Sequence, residues 1–110
     1  MTRQEWLNHL DTNFPRVPLA TLPTPLEFAP NFSDQFGGPK VYVKRDDMTG
    51  LALGGDKPRK LEYLLADALR QGADTIVTGG SSQSNHVRLT AAACHRVGLD
   101  PVALCTVDER

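Results

Sequence analysis

Apolar positions along this chain fall into two regimes. In the second half they alternate between two spacings. Leu61, Leu64, Leu65, Ala68 and Leu69 recur at helical spacing, and Gly72 offers a left-handed stop. Thr75 to Thr78 is a short apolar run that reads as a strand, and Gly79 to Gln83 is a glycine- and serine-rich loop. Val87, Thr90, Ala91, Cys94 and Val97 mark a second helix closed by Gly98, and Val102 to Val107 is a second strand. Helix, strand, helix and strand with short links predict an α/β fold with a parallel sheet and flanking helices.

The first half has no such rhythm. Thr2-Arg3-Gln4-Glu5 has the form of a capping box and predicts a helix start. Five of the eight prolines lie between Pro15 and Pro30. Proline fixes φ and removes a backbone donor, so this stretch is expected to be extended or turning. Asn31 to Gln35 suits a short helical turn, Gly37-Gly38-Pro39 breaks the chain, and Val41 to Val43 reads as a strand.

At 110 residues the chain holds one small domain at most. Its 12 basic and 13 acidic residues nearly cancel, which argues against a nucleic-acid or membrane-surface partner. No apolar run follows the N-terminus as in a secretory signal, and none is long enough to span a bilayer. Cys94 and Cys105 lack metal-type spacing and read as buried thiols in a reducing compartment. A cytoplasmic protein is expected, with no metal site. A parallel strand is normally covered by a following helix, so the end at Arg110 suggests a piece of a larger sheet.

Gly50 to Lys60 is the most informative stretch. Its glycines permit tight turns and close backbone approach to a ligand. Asp56 is placed to cap the next helix, and Pro58 suits a first turn. Lys57 precedes Leu61, Leu64, Leu65 and Ala68 by four, seven, eight and eleven residues, which puts it on the helix's apolar stripe. Burial and the positive end of the helix dipole both favour a neutral amine, which imine chemistry with an aldehyde requires; the Asp56 carboxylate opposes them. The competing reading is a lysine that snorkels from the edge of the stripe. Lys44, Arg59 and Lys60 read as solvated or ion-paired. A phosphate loop of the GxxxxGK[ST] type is excluded, because Lys57 stands one place late and Pro58 follows it.

Thr78 to His86 joins a strand to a helix N-terminus. Exposed N–H groups and serine hydroxyls there can hold a carboxylate or phosphate. The plainer reading is N-capping by Ser82 or Ser84. His86 is a candidate catalytic group or a capping histidine, and His9 and His95 form no constellation with it.

Taken together, three motifs are similar to one family. They are Lys44-Arg45-Asp46-Asp47, the run from Gly50 to Tyr63, and Gln83-Ser84-Asn85-His86. With Leu22 to Leu26 upstream, they resemble the D-cysteine desulfhydrase and 1-aminocyclopropane-1-carboxylate (ACC) deaminase family over roughly Phe14 to Leu104. The resemblance implies the N-terminal portion of a tryptophan synthase β-like, fold-type-II pyridoxal-phosphate enzyme. Residues 1–63 would begin the large cofactor domain and residues 64–110 the small domain, both incomplete. Lys57 would carry pyridoxal phosphate and move the proton at the substrate α-carbon. Asn85 would hold the cofactor's ring hydroxyl and also contact the substrate, Ser84 would hold the substrate carboxylate and share in catalysis with Lys57, and His86 would complete the substrate side.

The implied reaction is elimination of D-cysteine to pyruvate, ammonia and sulfide by a full-length homodimer. ACC deaminase and L-cysteate sulfo-lyase are the alternatives within the family. A non-catalytic anion-binding or interaction module built on Ser81 to His86 is the alternative outside it. This chain departs from the family's pattern at Asp56, where Asn is usual. The family's glycine-rich phosphate cup, pyridine-nitrogen partner and substrate-selecting tyrosine region would lie beyond Arg110.

Overall fold

The computed structural model describes residues 1–106. In chain order the elements are α1 (Arg3–Asn13), β1 (Leu26–Phe28), α2 (Pro30–Phe36) and β2 (Tyr42–Lys44). Two 3-10 turns follow, Asp46–Met48 and Leu51–Leu53, and then α3 (Lys57–Arg70), β3 (Thr75–Ser81), α4 (Asn85–Val97) and β4 (Asp100–Thr106).

The second half builds the expected unit. β3 and β4 pair in parallel, from Thr75 opposite Asp100 to Ser81 opposite Thr106. α4 packs on one face of this pair, against Ile76, Thr78 and Gly80, and also against α3. The other face, with Val77 and Leu104, is exposed. The core lies between α3, α4 and the turn at Leu51: Leu51, Leu61, Leu65, Leu89, Ala93, Cys94 and Leu99, joined by Leu19 from the proline-rich segment.

The first half stands apart from the parallel pair, a placement that the sequence left open. β1 and β2 form a separate antiparallel pair, Leu26 opposite Lys44 and Phe28 opposite Tyr42. The link between them holds only the short helix α2, and a chain that folds straight back pairs antiparallel. The stripe of α3 is rotated from the expected one. Leu61 and Leu65 are buried with Pro58, Glu62 and Ala66, whereas Leu64 is 56% exposed and Leu69 is also exposed. On α4 the buried residues are Leu89, Thr90, Ala93 and Cys94, so Leu89 and Ala93 replace Val87 and Ala91 at the centre of the face. The strand β3 continues through Gly79 and Gly80 to Ser81, which shortens the expected loop to Ser82 and Gln83. Of the two cysteines only Cys94 is buried; Cys105 is exposed on β4.

Other elements match closely. Thr2 closes a capping box with Glu5 and starts α1, although α1 buries none of its residues. The helical turn expected at Asn31 to Gln35 is α2, and the strand expected at Val41 to Val43 is β2, shifted by one residue. The second strand runs Asp100–Thr106; Val107 lies outside the described residues. Among the described residues no helix is long and apolar enough to cross a membrane.

Candidate functional site

Lys57 opens α3, with Pro58 in the first turn where its missing N–H costs nothing. The approach to it demands glycine. At Gly54, φ is 75°, and a Cβ would sit 1.9 Å from the carbonyl oxygen of Asp47. Only a residue without a side chain lets these two backbones touch. Gly55 donates its N–H to the Asp46 carbonyl at 2.9 Å, and the Thr49 hydroxyl, fully buried, donates to the Gly55 carbonyl at 2.7 Å.

Asp56 does not cap α3 through its side chain. Its backbone is already in the helical region, which turns the carboxylate away from the first-turn amides. Instead the Lys57 Nζ donates to both of its oxygens, at 2.8 and 3.1 Å. The Lys57 side chain is 31% exposed and Asp56 69%, so the pair stands at the rim of the core. Lys57 is therefore half-buried and paired, rather than turned inward on the stripe. The ammonium beside it holds the Asp56 carboxyl below its ordinary range.

Ser84 is the N-cap of α4. Its Oγ accepts from the Val87 N–H at 3.3 Å, and its own N–H donates to the Ser81 carbonyl at 3.0 Å. Capping is thus Ser84's role rather than Ser82's. Gly80 lies directly beneath: a Cβ there would meet Ser84 Oγ at 2.9 Å, Ser84 Cβ at 3.0 Å and Val87 Cγ2 at 3.0 Å. Asn85 is exposed at the first position of α4. His86 is half-buried. Its Nε2 pairs with the Thr78 hydroxyl at 3.0 Å, and its buried Nδ1 has no partner. Loss of hydration lowers the His86 pKa, and the positive charges of Lys60 and Lys57 lower it further.

The fold brings the two loops together. The Arg88 guanidinium reaches the Gly54 carbonyl at 3.4 Å, and Leu89 packs against the Gly55 backbone. The helix that carries Ser84, Asn85 and His86 therefore rests on the glycines that precede Lys57, and the Lys57 charge is felt at His86. Such a site offers an amine, a hydroxyl at a helix start, and an imidazole whose charged form is disfavoured.

Two supporting features lie outside the sequence-predicted set. Glu62, 2% exposed, accepts the Leu19 and Ala20 N–H groups on one oxygen at 2.9 and 3.0 Å, and its other oxygen lies 3.5 Å from the Arg16 Nε. It stitches the proline-rich segment to α3. Its place between Leu61 and Leu65 on the stripe is the available signal, since a buried carboxylate needs partners. Asp46, Arg59 and Thr24 form the second feature. Arg59 donates Nε and a terminal N–H to the two Asp46 oxygens at 2.7 and 2.8 Å, and the buried Thr24 hydroxyl donates to Asp46 at 2.7 Å. This fork holds Asp46 far below the usual carboxylate range and raises Arg59. The sequence allowed that Arg59 is ion-paired; its partner, 13 residues away, is visible only in the fold.

A family model of pyridoxal-phosphate dependent enzymes matches residues 17–109. The chain belongs to that family. It is 58% identical over 98 residues to proteins named D-cysteine desulfhydrase from Salmonella paratyphi A and Salmonella newport. Those matches cover 89% of this chain and 29% of each relative. A crystal structure described as that of an ACC deaminase homologue superposes with a TM-score of 0.88 and 44% identity, over 100% of this chain and 33% of that one. The chain thus spans about a third of the length of the proteins it matches.

The residues present fit the family's cofactor. An aldehyde needs an accessible amine, which Lys57 supplies at the rim of the core. The unpartnered His86 Nδ1 leaves a hydrogen-bonding position open beside the α4 terminus. The missing Cβ at Gly80 lets Ser84 settle at that terminus.

Proposed function

We propose that the whole protein is a lyase that eliminates sulfide from D-cysteine, with water converting the remainder to pyruvate and ammonia. The observation that carries this reading is the contact of α4, through Arg88 and Leu89, with the Gly54–Gly55 backbone before Lys57. That contact links the helix that Ser84 caps to the glycines that lead into Lys57. The 58% identity to proteins of that name supports the substrate.

Pyridoxal phosphate, when bound, supplies the electron sink that makes the α-carbon acidic. Lys57 would hold the cofactor aldehyde, and its Nζ is the base that would take the α-proton. Ser84 Oγ and the first amides of α4 orient the substrate carboxylate. The Asn85 carboxamide would hold the ring hydroxyl, and His86 would border the substrate. The roles of these four residues, and a division into a large-domain portion (1–63) and a small-domain portion (64–110) that meet within α3, belong to this proposal. So do a homodimeric full-length form and a cytoplasmic location.

Pyruvate and sulfide release from D-cysteine by the full-length protein, with loss of both in Lys57→Ala, is the expected result. Turnover of ACC, a substrate suggested by the structural neighbour's description, in place of D-cysteine would shift the assignment to the deaminase. Borohydride-stable pyridoxal phosphate found elsewhere than on Lys57 would overturn it.

A further inference from the structure

We infer that Asp46 is a positioning residue for Lys57, resting on the reading of Lys57 as the cofactor lysine. Asp46 grips the chain on both sides of that lysine. Its backbone carbonyl accepts the N–H of Gly55, two residues before Lys57, at 2.9 Å. Its carboxylate takes the fork of Arg59, two residues after Lys57, at 2.7 and 2.8 Å. One residue thus fixes the entry to α3 and its first turn, and Lys57 lies between the two fixed points.

The anchor is itself anchored. Thr24, 4% exposed, donates its hydroxyl to Asp46 and accepts from Arg59 at 3.0 Å, while its carbonyl takes the Lys44 ammonium. Arg45 donates its N–H to the Pro25 carbonyl at 2.9 Å, which ties the 46–49 turn to the segment that carries Thr24. A forked guanidinium–carboxylate pair restrains both distance and orientation, which a single charge contact does not. Asp46 touches neither Lys57 nor the α4 terminus in any of these contacts, so its influence on the amine passes through backbone geometry.

Lys60 provides an internal control. It is exposed, on the same helix, three residues beyond Lys57. The full-length protein, freed of cofactor, is treated with pyridoxal phosphate and borohydride, and the Lys57-to-Lys60 labelling ratio is read by peptide mass spectrometry. The comparison is with Asp46→Asn and Arg59→Lys, helix content being followed by circular dichroism. In both folded variants the ratio is expected to fall, by about ten-fold in Asp46→Asn, within the range that misplacing a reacting group by about 1 Å costs. Arg59→Lys retains charge without the fork and should fall by less. An unchanged ratio in both overturns the inference. If Asp46→Asn does not fold, Arg59→Lys decides alone.

If the parent itself shows no preference for Lys57, the cofactor reading fails. The positioning role is then judged on amide exchange at Gly55 to Arg59. Faster exchange there in the variants, with the rest of α3 unchanged, upholds it; equal exchange overturns it.

Discussion

Lys57 and Asp56, neighbours in sequence, are bound to one another through both carboxylate oxygens, at 2.8 and 3.1 Å. The amine must leave this carboxylate before it can attack an aldehyde. Asp56→Asn removes the ion pair and keeps the side chain's shape. Its thermal midpoint should barely move, because exposed pairs contribute about 1 kcal/mol at most. The rate at which pyridoxal phosphate labels Lys57 should rise. A rate equal to the parent's would show that the pair does not restrain the amine.

His86 should make the protein sensitive to acid. Its folded pKa lies below the ordinary value of 6.5, chiefly because burial strips its hydration. The unfolded chain therefore binds the proton more readily than the folded one. The contribution to stability is complete above the ordinary value and is lost as pH falls through the lowered folded value. Melting curves across that window should show a steeper loss for the parent than for His86→Gln. Parallel curves would refute the assignment of a neutral, desolvated imidazole.

Two glycines should differ in their tolerance of alanine. Gly80→Ala brings a Cβ to about 3 Å from Ser84 and Val87, and a small displacement of the α4 terminus relieves it. A loss of about 1–3 kcal/mol is expected, the usual cost of overpacking. Gly54→Ala adds a positive φ of 75° to a Cβ 1.9 Å from the Asp47 carbonyl, which is backbone and cannot rotate aside. It should cost more and should also disturb Lys57 labelling. Denaturant melts of both variants check the order.

Leu65 and Leu64 test which face of α3 is packed. Leu65, 1% exposed, should lose about 2–5 kcal/mol on truncation to alanine. Leu64→Ala, at an exposed position, should stay within about 0.5 kcal/mol of the parent. A large loss at Leu64 in the full-length protein would mean that another part of that protein covers this face.

Much of the site was legible because it is local. A lysine that opens a helix behind glycines, and a serine that caps a helix after a strand, are set by backbone rules acting over a few residues. Ser84 caps α4 and Pro58 enters the first turn of α3 as that chemistry requires. The pairing of Asp56 was not legible, because the capping rule considers residue type alone, whereas its helical φ and ψ withdraw the carboxylate from the amides. The true face of α3 was not legible for a related reason. Periodicity names a stripe, but Leu64 and Leu69 sit at its edge, and a buried Glu62 with backbone partners can replace a leucine at its centre.

The sequence by itself determined the alternation of helix and strand from Lys57 onward and the residue types at both helix starts, since these follow from spacing and local backbone preference. Only the tertiary structure decided that β1 and β2 stand apart from the parallel pair, that Arg59 closes on Asp46, and that α4 rests on Gly54 and Gly55. Those contacts join residues from 13 to 34 positions apart. They depend on which surfaces meet when the core closes, and no local pattern encodes that meeting.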